Sequence, residues 1–248
     1  MIQEKLKNLK LAGIVNTLEE RLKYANDNSL SYQQFLEILI EDEENNRRDN
    51  SYKKRYNKAK LPAHKTIEEF NFRFQPSINQ KLINDASTCQ FIKEKRNIIF
   101  IGNPGTGKSH LATAIGVKAL AKNYKILFTS VNDLLYNLHI SKADNSYYKK
   151  LNEYLNPDLL ILDELGFKSI PNYSADDFFE VISKRYEKGS TIITTNKQFE
   201  NWQDIFADKT LADAILDRLV HDATIFNIKG ESYRSKKVSR IDDSNKSE

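Results

Sequence analysis

A chain of 248 residues with 40% apolar side chains can bury one sizeable α/β core and carry a smaller appendage, and its net charge of +4 has its basic excess toward the two ends. The single cysteine, Cys89, excludes an internal disulfide and reads as a small buried apolar residue. With only the dispersed His64, His110, His139 and His221 beside it, no Cys/His zinc cluster is available.

The amino terminus is charged from Glu4 onward, and no apolar run reaches the length of a signal peptide core or a membrane helix. We therefore expect a cytoplasmic protein with no membrane partner. Residues 2–24 place Leu11, Val15, Leu18 and Leu22 on one face, which predicts one amphipathic helix. Ser31 and Gln34 read as a capping box opening a second helix whose core face would be Phe35, Leu36, Leu39 and Ile40.

Acidic residues Glu41, Asp42, Glu43 and Glu44 then give way to Arg47, Arg48, Lys53, Lys54, Arg55, Lys58 and Lys60, with Tyr52 and Tyr56 interleaved. Such a run is either a solvated helix face paired to the acids or a surface for a nucleic-acid backbone, where fixed cations displace condensed counterions. The second is the sharper expectation. Leu61-Pro62 should end this helix, because proline disfavours helix at the residue before it. Phe70, Phe72, Phe74 and Pro76 read as a linker that packs on the core. We expect a helical DNA-binding and assembly domain over 1–66, a larger domain over 67–238 and a disordered tail over 239–248.

From residue 97 strand and helix patterns alternate, the signature of a parallel sheet covered on both faces. Strands are expected at 97–101, 125–130, 158–163, 190–195 and 223–228, and helices at about 108–122, 132–140, 174–187 and 210–220. Between the first strand and first helix of this series lies Gly102-Asn103-Pro104-Gly105-Thr106-Gly107-Lys108-Ser109, matching G-x-x-x-x-G-K-[ST] in the strand-loop-helix context that a phosphate-binding loop requires. Glycines let backbone N–H groups turn inward, and the helix adds its positive amino end. Lys108 would reach the outer phosphates, Ser109 would ligate Mg²⁺, and His110 follows in the same turn. That His110 stands where a third glycine would be needed excludes the dinucleotide fingerprint.

Asp158-Leu159-Leu160-Ile161-Leu162-Asp163-Glu164 is an apolar strand ending in two acids. Beside the loop, Asp163 would hold Mg²⁺ and Glu164 would orient and deprotonate an attacking water. Ser190 to Asn196 is a third buried strand ending in polar groups, with Asn196 placed to hydrogen-bond that water or a phosphate. Arg218 lies late on a helix, as a transition-state cation or as a surface salt bridge.

These motifs, in this order and closing on Gly230-Glu231-Ser232-Tyr233-Arg234, resemble AAA+ ATPases of the DnaC and IstB branch over residues 97–237. The phrases Lys10-Leu11-Ala12-Gly13, Ala59-Lys60-Leu61-Pro62, Gln75-Pro76-Ser77-Ile78, Asp163-Glu164-Leu165-Gly166-Phe167, Ser183-Lys184-Arg185-Tyr186-Glu187 and Leu219-Val220-His221 extend the likeness to the IstB family over nearly the whole chain. The resemblance implies a P-loop AAA+ α/β domain with a small all-α amino-terminal domain, using ATP and Mg²⁺. It implies a homo-oligomeric ring or helical filament on duplex DNA, with dimers as a candidate building unit, and a cognate transposase as partner. Asn196 is then similar to sensor 1, Arg218 to an arginine finger offered to a neighbouring subunit, and Arg234 to the sensor 2 arginine. The segment after Arg218 is short for the helical lid of typical AAA+ proteins. A DnaC-like helicase-loading adaptor is the alternative. A stand-alone small-molecule kinase is disfavoured, because it has no use for a separate basic helical module.

Overall fold

The computed structural model describes residues 1–206 and 208–233, and within these the side chains of Asn172 and Tyr173 are left aside. The chain divides into two compact units, Met1–Tyr56 and Asn57–Glu248.

In the first unit, α1 (Ile2–Asn8) and α2 (Ala12–Asp27) replace the single helix expected over 2–24. The interruption is a Schellman turn: Lys10 N donates to Lys7 O and Leu11 N to Leu6 O, with Lys10 itself at φ +57°. A lysine stands where glycine is usual, so the sequence carries no stop signal. The Ser31 capping box does open α3 (Tyr32–Ala59): Gln34 N donates to Ser31 Oγ at 3.3 Å, and Ser31 N donates to Gln34 Oε1 at 2.9 Å. The expected core face of α3 is corrected in part. Leu39 is buried and Phe35 half-buried, but Leu36 and Ile40 are 57% and 55% exposed.

The inward face of α3 instead supplies a polar clamp. Glu43, buried at 7% exposure, accepts from Gly13 N at 2.7 Å and Ile14 N at 3.4 Å. These are free amides of the first turn of α2, whose N-cap Leu11 has no side chain to offer them. A carboxylate there also meets the positive helix end. Burial pushes Glu43 up, but Arg47 and the two backbone amides outweigh it and hold the carboxyl below its ordinary value. Asp42, paired with Arg21 at 2.8 Å, is likewise held low.

The second unit opens with α4 (Gln80–Ser87) and α5 (Gln90–Lys93), then runs β1 (Ile98–Gly102), α6 (Lys108–Ala121), β2 (Ile126–Ser130), α7 (Val131–Ala143), α8 (Tyr147–Leu155), β3 (Leu159–Leu165), α9 (Asn172–Arg185), β4 (Ser190–Thr195), a 3-10 helix (Phe199–Asp204), α10 (Lys209–Val220) and β5 (Thr224–Ile228). The five strands form one parallel sheet in the order β2-β3-β4-β1-β5. Every residue of β1 and β4 is buried, as a parallel sheet covered on both faces requires. Phe178, Trp202 and Phe206 are fully buried in the core on one face, each contributing roughly 1.5–3 kcal/mol by leaving water. This is the parallel α/β architecture expected from the alternating pattern.

Arg185 secures the amino ends of β3 and β4. Its guanidinium, 2% exposed, donates to the carbonyls of Tyr154, Leu155, Pro157 and Ser190 and to Thr191 Oγ1. Burial pushes its pKa down to about 10, the cost of placing a cation there. At the opposite, carboxyl end β3 is irregular: Leu162 pairs with Ile193 but Leu165 pairs with Thr195, so Asp163 and Glu164 together stand opposite Thr194. Glu164 absorbs the extra residue at φ +63°.

Candidate functional site

The phosphate-loop motif leaves the carboxyl end of β1 and enters α6, in the crevice where parallel sheets bind ligands. Gly105 and Gly107 adopt φ +81° and +97°, the left-handed backbone that turns the loop's amides inward. α6 has no side-chain cap at Gly107, so its first-turn amides remain available to an anion. Lys108 is buried and its Nζ donates to Gly102 O at 2.7 Å and Asn103 O at 2.8 Å. His110 Nε2 donates to Thr66 O at 2.8 Å, holding the linker against the loop.

The acids of β3 meet the loop through Ser109. Its hydroxyl donates to Asp163 Oδ1 at 2.8 Å, and Thr194 Oγ1 donates to the same carboxylate oxygen. Asp163 is buried, whereas Glu164, the next residue, is exposed at the crevice. Asn196 follows β4, and its Oδ1 is buried without a hydrogen-bond partner among the described residues. Loop, Lys108, Ser109 and Asp163 are thus brought together, with Glu164 and Asn196 emerging from the carboxyl ends of the adjacent strands.

A cavity of about 550 Å³ extends from the loop and is walled by Pro62, Phe70, Phe74, Gln75 and Tyr233. The aromatic linker therefore does more than pack on the core, correcting its expected role. A Cβ on Gly107 would lie 2.5 Å from Phe70, and the rings of Phe74 and Tyr233 meet edge to face at 5.2 Å. Tyr233 N donates to Gly105 O and Gln75 Nε2 to Glu231 O, both at 2.9 Å. Sequence reasoning missed these residues because the aromatic spacing over 70–74 fits no regular element. Only the quoted phrases around Gln75 and Tyr233 hinted at them.

Arg218 lies elsewhere. It donates to Ala214 O at 2.7 Å, stacks on Phe179, and sits one residue before Leu219, whose carbonyl accepts from Asn97 at the amino end of β1. It borders a smaller cavity at the sheet end opposite the phosphate loop and takes no part in the loop of its own chain. Arg234 lies outside the described residues.

In the basic run, Arg47 is tied to Glu43 at 2.6 Å and Arg55 donates to Ser51. Arg48, Lys53 and Lys54 are exposed on the first unit, and Lys58 and Lys60 are exposed on the second. Tyr52 and Tyr56 lie with ring centroids 6.1 Å apart.

The donor set fits Mg²⁺. Among the described residues no group of three or more His, Cys, Asp or Glu could hold a metal alone. The Ser109 hydroxyl beside the Asp163 carboxylate offers the hard oxygens of a cation that takes its remaining ligands from phosphate and water. Among the described residues no helix is long and apolar enough to cross a membrane.

A family model described as IstB-like ATP binding protein matches residues 4–241. The chain is 39% identical over 231 residues to a protein of Pseudomonas aeruginosa named as an ATP-binding protein of insertion sequence IS21, covering 93% of this chain and 87% of the relative. A counterpart from insertion sequence IS5376 of Geobacillus stearothermophilus is 40% identical over 233 residues, covering 94% and 93%. Among solved structures, the DnaC helicase loader is similar with a TM-score of 0.53 and 25% identity, over 71% of this chain and 99% of that one. AMPPCP-bound DnaA from Aquifex aeolicus shares the fold with a TM-score of 0.58 at 21% identity, over 73% and 55%. With its phosphate loop and acidic strand in place and the family model matched along nearly its full length, the chain belongs to the IstB-like ATP-binding protein family.

Proposed function

We propose that this chain is a Mg²⁺-dependent ATPase that assembles on duplex DNA when ATP is bound and assists an insertion-element transposase in target selection and integration. The observation that carries the reading is the hydrogen bond from Ser109, which lines the cavity beside Lys108, to Asp163 at the acidic, bulged end of β3. The loop amides and Lys108 hold the phosphates, and the aromatic walls take the nucleoside. Mg²⁺, held by Ser109 and Asp163, would offset charge on the phosphate oxygens. Glu164 orients a water for in-line attack and accepts its proton as the bond between the γ-phosphorus and the β–γ bridging oxygen breaks, giving ADP and phosphate. Asn196 Oδ1 fits the same water as an acceptor.

Arg218, at the far end of its own sheet, is proposed to serve the site of a neighbouring copy, so that nucleotide state governs assembly. Arg234 is proposed as the sensor 2 arginine, and the 1–66 segment as the DNA-binding and assembly domain. Arg47, Arg48, Lys53, Lys54, Arg55, Lys58 and Lys60 are proposed as the DNA-contacting run.

The test is the mass of the full chain by light scattering on plain duplex DNA, in ATP and then in ADP. A large assembly in ATP that is lost in ADP is expected, and reversing the charge of Arg48, Lys53 and Lys54 should abolish it while nucleotide still binds. Arg218→Ala should lower hydrolysis and be partly rescued by mixing with Lys108→Ala. A chain that stays small on duplex in both nucleotides refutes the assembly model. The likeness to the DnaC helicase loader then makes helicase capture the reading to test.

A further inference from the structure

Thr194 is 1% exposed near the carboxyl end of β4, and no part of the motif reading gives it a task. Its hydroxyl makes two bonds of opposite sense. It donates to Asp163 Oδ1, and it accepts from Glu164 N at 3.0 Å. The bulge makes this possible, because two residues of β3 share one partner position on β4. In an unbroken strand Asp163 and Glu164 would project to opposite faces and their backbone would pair in the ladder. Here the ladder bond is replaced by a side chain, and Glu164 is left in the left-handed region that a glutamate does not choose unaided.

We infer that Thr194 is a positioning residue for hydrolysis, a single hydroxyl that fixes both the carboxylate of Asp163 and the backbone of Glu164. This rests on the proposed ATPase activity. The Asp163 oxygen that receives Thr194 also receives Ser109, so one carboxylate oxygen is committed to protein donors and the other is left for the cation's shell. The same hydroxyl holds the amide from which the Glu164 side chain departs, setting where the base reaches. Thr194 touches neither nucleotide nor water in this scheme and acts through the acid pair.

The experiment compares full-length wild type, Thr194→Val and Thr194→Ser, measuring AMPPCP affinity and steady-state phosphate release with ATP and Mg²⁺. Valine keeps the volume and removes the hydroxyl, so kcat should fall on the order of 10- to 100-fold while AMPPCP affinity stays within about 3-fold; the loss is part of what a positioned base contributes. Serine restores the hydroxyl and should bring kcat to within about 3-fold of wild type. In a Glu164→Gln background, Thr194→Val should cause a smaller further loss than in wild type, since only the part that acts through Asp163 remains. A valine variant that turns over like wild type, a serine variant as impaired as valine, or a full additional loss in the Glu164→Gln background would each overturn the role. Should the valine chain not fold, Thr194→Cys takes its place: its weak donor should leave kcat well below that of serine, and equal rates overturn the inference. A wild type that binds AMPPCP but releases no phosphate refutes the ATPase reading itself, and this role with it. A hydrolysing wild type with an indifferent Thr194 refutes only the role.

Discussion

Gly13→Ala sets helix propensity against packing. Alanine is favoured over glycine in a helix by about 1 kcal/mol, so on local grounds the change should stabilise α2. A Cβ at Gly13, however, would lie 2.7 Å from Asp42 O, 2.7 Å from Glu43 Cα and 2.8 Å from Asn46 Cβ. Carbon atoms in contact sit about 3.5–4.0 Å apart, so the helices must separate by several tenths of an ångström or more, and two of the three obstacles are backbone that cannot rotate away. Overpacking of this kind costs about 1–3 kcal/mol. Separation also stretches the 2.7 Å bond from Gly13 N to the buried Glu43 carboxylate, and hydrogen bonds to charged groups contribute about 1.5–3 kcal/mol. Set against the propensity gain, a net destabilisation of roughly 1.5–5 kcal/mol is expected. Urea unfolding of the full chain followed by far-ultraviolet circular dichroism measures it, read from the earliest transition. A variant as stable as wild type, or more so, would show that α2 and α3 do not approach through this glycine.

Acidification should reach the same unit. Asp42 and Glu43 are both held below their ordinary values of 3.8 and 4.5 in the folded chain, so their deprotonated forms favour folding. That stability is complete above the ordinary values and is lost as pH falls through the lower folded ones. Glu43→Gln should blunt the loss of helical signal as pH falls below about 4.5, and an unchanged acid limb would exclude Glu43 as its source. Arg185→Leu strands the carbonyls of Tyr154, Leu155, Pro157 and Ser190 and should destabilise the second unit by about 3–5 kcal/mol, seen as a lower thermal midpoint. Arg185→Lys should recover only part, because an ammonium lacks the planar fork. Gly107→Ala meets both a φ of +97° and the Phe70 ring at 2.5 Å, so AMPPCP affinity should fall at least about 10-fold by calorimetry, while wild-type affinity would refute the cradle.

The β1 loop, the acidic end of β3 and the polar end of β4 were legible because each joins a buried apolar run to residues with no reason to end it except chemistry. What stayed hidden has local causes. The turn between α1 and α2 uses Lys10 where glycine would have announced it, so apolar periodicity ran on unbroken. α8 spans only Tyr147–Leu155, so although Tyr147, Leu151, Tyr154 and Leu155 share one face, the stripe is too short to stand out between two strands. Leu36 and Ile40 fit a core face by spacing, yet Leu39 is the buried residue and α2 meets α3 through Gly13 and Glu43, and no periodicity marks a carboxylate as the inward residue. The bulge at Glu164 is invisible for a similar reason: it is a matter of register between strands, and register is a property of two segments together.

The last described segment bears on the order in which the molecule can be completed. β1 and its loop are made early, but the far side of β1 pairs only with β5, and Gly105 receives its bond from Tyr233. On a ribosome, a chain that has already exposed every residue of the phosphate motif still has an open strand edge and a cavity without its outer wall. Nucleotide can reward completion of this cavity only after β5 and Tyr233 are released. A chain cut before Thr224 should therefore keep the motif yet gain no stability from ATP, which makes β5 the point at which synthesis commits the protein to its ligand.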